Sequence, residues 1–164
     1  MGQTWKSVND VLDYAIREEQ QAVFVYRAMG HQAPSEGMKE LFGGLEADET
    51  SHLKKLLKLR KATTFTVTDG SLSTLPHRRT VRLPADGVVD AEAAYKFAIR
   101  AERNARELYW LFSQMAAEPA IQQLLGTLAA EEQAHEAKLE ADLAKRRTQR
   151  GFLRRLFRFG ARRP

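Results

Sequence analysis

Apolar residues recur at three- and four-residue spacing in four stretches of this chain, and in each stretch something ionisable interrupts the apolar stripe. The first carries Leu12, Ile16, Val23 and Tyr26 around Glu19. The second carries Leu41, Leu45, Leu56 and Leu59 around Glu49 and His52, and the third Tyr95, Ile99 and Tyr109 around Glu102. The fourth carries Leu124, Leu125, Leu128 and Leu139 around Glu132 and His135. This period is that of an α-helix with one buried face. The spacing predicts helices from Ser7, a good N-cap, to about Met29 with Gly30 as its stop; from Pro34 and Ser35 to Lys61; from Asp90, a cap for the third; and from Pro119, at the first turn of the fourth, to about Arg147. Short turns at 30–35 and 116–119 fold each pair into an antiparallel hairpin. The expected fold class is all-α, a four-helix bundle. Residues 62–89 are long for a connection inside a compact domain. Yet two hairpins that aim equivalent faces at each other need a crossover running the length of the bundle, ~35–40 Å. Within it TFTVT (64–68) and TVRL (80–83) alternate like short strands and are expected to pair, while His77, like His31 at a helix end, reads as a surface residue.

The stripes belong to an internal repeat. LFGGLEADETSH (41–52) aligns without a gap on LLGTLAAEEQAH (124–135), at an offset of 83 residues. The same offset sets AIREEQQAVFVY (15–26) on AIRAERNARELY (98–109). A lone Glu-x-x-His on a Glu-rich helix is most often a solvated face. Here six residues recur together: Glu19 with Glu102, Glu49 with Glu132, and His52 with His135. The chain reads as a tandem duplication of one helix pair.

An unpaired charge within an apolar seam costs several kcal/mol, so these six groups need a common purpose. Four helices that bury their stripes together bring all six near mid-bundle. Four carboxylates carry −4 and neutral imidazoles add nothing, so two divalent ions neutralise the set. Hard oxygen donors with one imidazole per ion favour Fe(II) or Mn(II). A Glu from each of two helices and Glu-x-x-His from the other two is the ligand pattern of ferritin-like dinuclear carboxylate bundles. Glu46 and Glu131 stand outside the set, and their removal is expected to be mild. Tyr26 and Tyr109 lie two turns past Glu19 and Glu102 on the same face. Two readings of them stand open: second-shell groups that hydrogen-bond a ligand carboxylate or donate an electron, or core aromatics with satisfied hydroxyls. Trp110 reads as packing.

At these motifs the chain resembles the rubrerythrin branch of the ferritin-like superfamily, over roughly residues 8–145. The resemblance implies a ferritin-like four-helix bundle with a long crossover and a dinuclear iron centre. It further implies Glu49 and Glu132 as bridging ligands, with Glu19 and His52 on one ion and Glu102 and His135 on the other. The sequence departs from that family's pattern in three places. It has no Cys, so it lacks the iron–sulfur module that rubrerythrins usually carry. Ala105, matched by Ala22, stands where an extra Glu is often found, leaving the minimal six-ligand set and room beside the metals for an oxidant. Thr50 stands where bacterioferritin's haem-binding Met is expected, so no haem is expected.

Composition changes the picture at two points. The absence of Cys excludes disulfides, thiolate zinc sites and cysteine nucleophiles. The net charge of +5 is unevenly placed: nine of the 26 Lys and Arg, and none of the 21 Asp and Glu, fall in 145–164, which leaves 1–144 at net −4. The expected organisation is therefore a bundle over 1–144 and a basic tail over 145–164. In that tail Phe152, Leu153, Leu156 and Phe157 share one helical face among arginines. A basic amphipathic helix suits an anionic membrane surface, a groove on a protein partner, or nonspecific nucleic-acid contact. No apolar run reaches the ~18 residues of a membrane span, and the N-terminus lacks the apolar core of a secretory signal. The expected location is the cytoplasm, with peripheral membrane association through the tail.

The expected function is oxidation of Fe(II) by O2 or H2O2 at two iron ions, a ferroxidase or peroxide-reducing oxidoreductase, with Mn as another fitting metal. Iron binding or storage without turnover, tethered by the tail, is the alternative, and a bundle with an empty centre the third reading. Bundles of this type commonly associate, so a homo-oligomer is expected.

Overall fold

A computed structural model describes residues 5–61, 66, 72, 75 and 91–160, the last of these for the backbone alone from 150 onward. Its regular elements are four α-helices: α1 Val8–Gln32, α2 Glu36–Lys61, α3 Ala91–Met115 and α4 Pro119–Gly160. The all-α four-helix fold expected from the periodicity is the one observed. Asp90, His77 and the strand-like stretches lie outside the described residues, Thr66 excepted.

The helix ends follow from local chemistry, with two departures from expectation. Ser7 caps α1, its Oγ accepting from the Asp10 amide at 3.1 Å. However, α1 runs on through Gly30 and ends at Gln32. The stop is Pro34, because a proline forces the residue before it out of the helical region. Ala33 is accordingly extended, at φ −63° and ψ 128°, with its amide bonded to the Gly30 carbonyl. A glycine weakens a helix by about 1 kcal/mol without ending it. At the starts of α2 and α4, the carbonyls of Ser35 and Glu118 accept from Met38 and Ile121 at 3.0 and 2.9 Å. The second departure is α4, which continues well past Arg147 to Gly160. Arg146 and Arg147 are tied into the bundle, Arg146 to Asp142 at 2.6 Å and Arg147 to Glu92 at 2.7 Å.

The hairpins α1–α2 and α3–α4 pack closely along their lengths, and α1 meets α3 across the middle. Their shared interior holds two apolar clusters rather than one. The first gathers Leu12, Leu56, Tyr109, Phe112, Leu125 and Leu128 at one end of the bundle. The second gathers Tyr26, Phe42, Leu45, Tyr95, Ala98 and Leu139 at the other. Trp5 and Leu75 close the first end, where the indole Nε1 donates to the Leu75 carbonyl at 3.3 Å. Thr66 also docks there, its carbonyl accepting from the Ala117 amide at 3.1 Å. Between the two clusters lies the polar layer that interrupted the stripes.

Leu128 is fully buried in the first cluster. Leu128→Ala is expected to destabilise the fold by about 3 kcal/mol, the usual cost of such a truncation in a core that only partly collapses. Urea denaturation measures it, and a loss below about 1 kcal/mol would show that this end of the bundle is not tightly packed.

Candidate metal centre

All six predicted residues converge in the polar layer. Glu19, Glu49, His52, Glu102 and Glu132 are at most 2% exposed and His135 7%. Their ligating atoms form two groups, each within 4.8 Å: Glu19, Glu49, His52 and Glu132 in one, Glu49, Glu102, Glu132 and His135 in the other. Glu49 and Glu132 belong to both. Glu19 and His52 complete one group, and Glu102 and His135 the other.

The geometry around each imidazole is crowded in a specific way. His52 Nδ1 lies 2.9 Å from Glu132, 3.2 Å from Glu49 and 4.0 Å from Glu19. His135 Nδ1 lies 3.3 Å from Glu102 and 3.4 Å from both Glu49 and Glu132. One ring nitrogen with one hydrogen cannot satisfy three carboxylates. Both Glu132 oxygens and Glu49 Oε1 are in fact buried without an aligned hydrogen-bond donor, although His52 comes close to one of them. Orphaned buried oxygens around two inward-facing nitrogens are what a pair of divalent cations would satisfy, so the residues present fit the group.

Outward, each imidazole is held by an acid from the other repeat. His52 Nε2 donates to Glu131 at 2.8 Å, and His135 Nε2 to Asp48 at 3.2 Å. Lys55 holds Glu131 in turn at 2.8 Å. Glu131 therefore does more than its expected mild role allowed, because it orients a candidate ligand. Asp48 was missed altogether. The signal was there: Asp48 and Glu131 are themselves related by the offset of 83, each one residue before a shared Glu.

The two tyrosines also act crosswise. Tyr26 on α1 donates to Glu102 on α3, and Tyr109 on α3 donates to Glu19 on α1. Both phenols are buried members of the core clusters whose hydroxyls bond carboxylates of the layer, a geometry that both open readings share. Burial, reinforced by the neighbouring carboxylates, raises both phenol pKa values well above normal, so they stay protonated donors. His31 is exposed in the last turn of α1, as expected.

Protons balance the charge of the layer. Burial pushes Glu19 and Glu102 well above the usual carboxylate range, and Glu49 and Glu132 reinforce the shift. Glu49 moves the other way: burial opposes its ionisation, but hydrogen bonds with Glu19, His135 and His52 hold it low. Burial would depress the histidines, yet their carboxylate neighbours raise His52 to about 10 and His135 to about 12. Beside the layer, between α1 and α3, lies a cavity of about 60 Å³ that reaches Glu19, Glu49, Glu102 and Glu132. Ala22 and Ala105 line it, which bears out the room expected of those small side chains. Its volume exceeds that of a single water site.

A bundle of two repeated hairpins around such a buried carboxylate–imidazole layer is a ferritin-like arrangement. The model of the rubrerythrin family matches residues 10–141, so the chain belongs to that family. A solved structure of a hypothetical protein from Pyrococcus furiosus is similar, with 25% identity and a TM-score of 0.68 over 85% of this chain and 89% of that one. No curated protein matches.

Two divalent ions entering this layer displace protons from Glu19, Glu102, His52 and His135, so Mn(II) affinity should rise with pH between 6 and 8 and binding should release protons. Asp48→Ala and Glu131→Ala should each weaken binding by about ten- to a hundredfold. Calorimetric titration in buffers of different ionisation enthalpy measures both. A pH-independent affinity, or wild-type binding by both variants, would contradict this account of the layer.

Proposed function

We propose that the layer holds two iron ions and that the protein oxidises Fe(II) at the expense of O2 or H2O2. The observation that carries this reading is the pair of overlapping ligand groups sharing Glu49 and Glu132, set against a cavity sized for a diatomic oxidant. Family membership supports it. Glu19 and His52 would complete one ion's donors and Glu102 and His135 the other's. Bound iron would supply two electrons, one per ion, for reducing O2 to H2O2 or H2O2 to two waters, with two protons taken up.

The chain's own residues do the rest. Tyr26 and Tyr109 hold Glu102 and Glu19 through bonds that cross between α1 and α3, which fixes both carboxylates about the cavity. Glu131 and Asp48 aim the two Nδ1 atoms inward. The apolar clusters at either end keep bulk water from the layer, so exchange runs through the narrow opening between α1 and α3.

Anaerobic addition of Fe(II) followed by air tests the reading. A fast near-UV oxo-ferric band is expected. Glu49→Ala and Glu132→Ala should abolish it equally, because the repeat makes their positions equivalent, while Glu46→Ala should leave it unchanged. Binding with slow oxidation would favour an iron carrier or store instead, and absence of binding would leave a structural bundle.

The basic tail is proposed as an attachment to an anionic membrane surface. The continuous helix of α4 carries its arginines and phenylalanines beyond the start of α3, and each Lys or Arg near such a surface contributes about 1 kcal/mol before screening. A chain ending at Gln149 keeps the Arg146 and Arg147 ion pairs and should oxidise iron normally, yet lose co-sedimentation with acidic vesicles. Equal, weak sedimentation of both chains would remove the membrane and favour a protein partner.

A further inference from the structure

Trp110, read from the sequence as packing, is 56% exposed on α3. It lines an open groove of about 580 Å³ between α3 and α4, together with Arg106 on its own helix and Gly126, Ala129, Ala130 and Gln133 on the facing one. An added Cβ at Gly126 would meet open space. The first hairpin shows the same scaffold furnished differently. At the offset of 83, Trp110 corresponds to Arg27 and Ala129 to Glu46, and those two side chains form an ion pair across α1 and α2 at 2.8 Å. Arg106 and Gln133 correspond to Val23 and Thr50. Where the first hairpin is bridged by an ion pair, the second therefore offers a short side chain, an aromatic plane and a guanidinium. The groove's volume falls within the roughly 300–1,000 Å³ of small-molecule and cofactor sites.

The lining selects a ligand. An indole face stacks a flat ring system, and the small residues of α4 leave room beside it for one. Arg106 reaches the buried Glu136 only at 3.6 Å, too far for a hydrogen bond, so its N–H groups can serve a phosphate. Arg103 is taken up by Glu136 and Glu140, at 2.6 and 3.2 Å. Glu107 and Gln133 complete the lining with groups that pair with hydroxyls. A flat ring joined through a polyol to one phosphate meets all of these. The groove also backs onto the polar layer, because Arg103 and Gln133 of its lining directly follow the layer carboxylates Glu102 and Glu132. The width of a helix, ~10 Å, stands between, a distance that an electron crosses and a hydride does not. That separation favours a flavin, which gives up electrons singly, over a nicotinamide. The role in electron supply rests on the iron-oxidising reading of the centre: each turnover leaves two Fe(III), and the cysteine-free chain has no iron–sulfur module to reduce them. We propose that the α3–α4 groove binds reduced flavin mononucleotide, which returns electrons to the layer. The neutral reduced flavin loses two electrons and two protons to become oxidised flavin, and two Fe(III) become two Fe(II).

Titration of the full chain with oxidised flavin mononucleotide, followed by flavin fluorescence, tests the site apart from any iron. Saturable binding is expected, with riboflavin, which lacks the phosphate, about tenfold weaker. Arg106→Gln should bring the two flavins to one affinity, and Trp110→Ala should weaken both by about tenfold or more. Trp110→Arg combined with Ala129→Glu rebuilds the first hairpin's ion pair and should abolish binding with helix content unchanged. The electron step is read anaerobically. One equivalent of reduced flavin mononucleotide should bleach the oxo-ferric band of the air-oxidised protein, and bleach it more slowly in Trp110→Ala, whose own air oxidation stays normal. Absence of saturable flavin binding overturns the proposal, as does binding that Trp110→Ala and Arg106→Gln both leave unchanged. Bleaching equally fast in Trp110→Ala and the native chain overturns the electron step. A chain that never forms the oxo-ferric band fails the iron reading and the electron step with it, while the flavin titration still decides the site.

Discussion

Four carboxylates buried in one layer are the constraint on which the rest of this structure depends. They cannot all stay ionised among apolar neighbours, so protons or cations must enter with them. Burial favours the protonated forms of Glu19 and Glu102, while carboxylate neighbours favour the charged imidazoles of His52 and His135. The bonds that organise the layer cross between the repeats: Tyr26 to Glu102, Tyr109 to Glu19, His52 to Glu131 and His135 to Asp48. The halves are thereby fastened to each other at the layer, whereas at the bundle ends they meet mainly through apolar contact. A change in the occupancy of the layer thus acts on the joint between the hairpins.

The repeat explains why so much of this was legible beforehand. Helical periodicity located four stripes, and the offset of 83 turned two weak Glu-x-x-His motifs into one six-residue set. What escaped was information that no single helix contains. Asp48 and Glu131 reach histidines 87 and 79 residues away, and a helical stripe says nothing of contacts across the bundle. The end of α1 was misplaced because Gly30 looked like a cap. The backbone geometry that ends the helix belongs to Ala33, dictated by Pro34. Nor does α4 stop near Arg147: it continues through Gly151, since glycine only lowers helix propensity. The burial of Trp5 against Leu75 follows from no pattern, because a lone aromatic before a helix has no periodic neighbours.

The correspondence at the offset of 83 also separates what chemistry holds fixed from what it leaves free. Inside, Glu19, Glu49, His52 and Tyr26 each keep an identical mate, and Asp48 keeps an acidic one. Every one of these supports a neighbour across the repeat boundary, so a change in one half strands a buried group in the other. Outside, matching positions of the halves differ. Arg103 and Glu140 stand where Gln20 and Leu57 do. A surface ion pair contributes little to stability, and an exposed leucine costs little, so folding alone does not choose between the two faces.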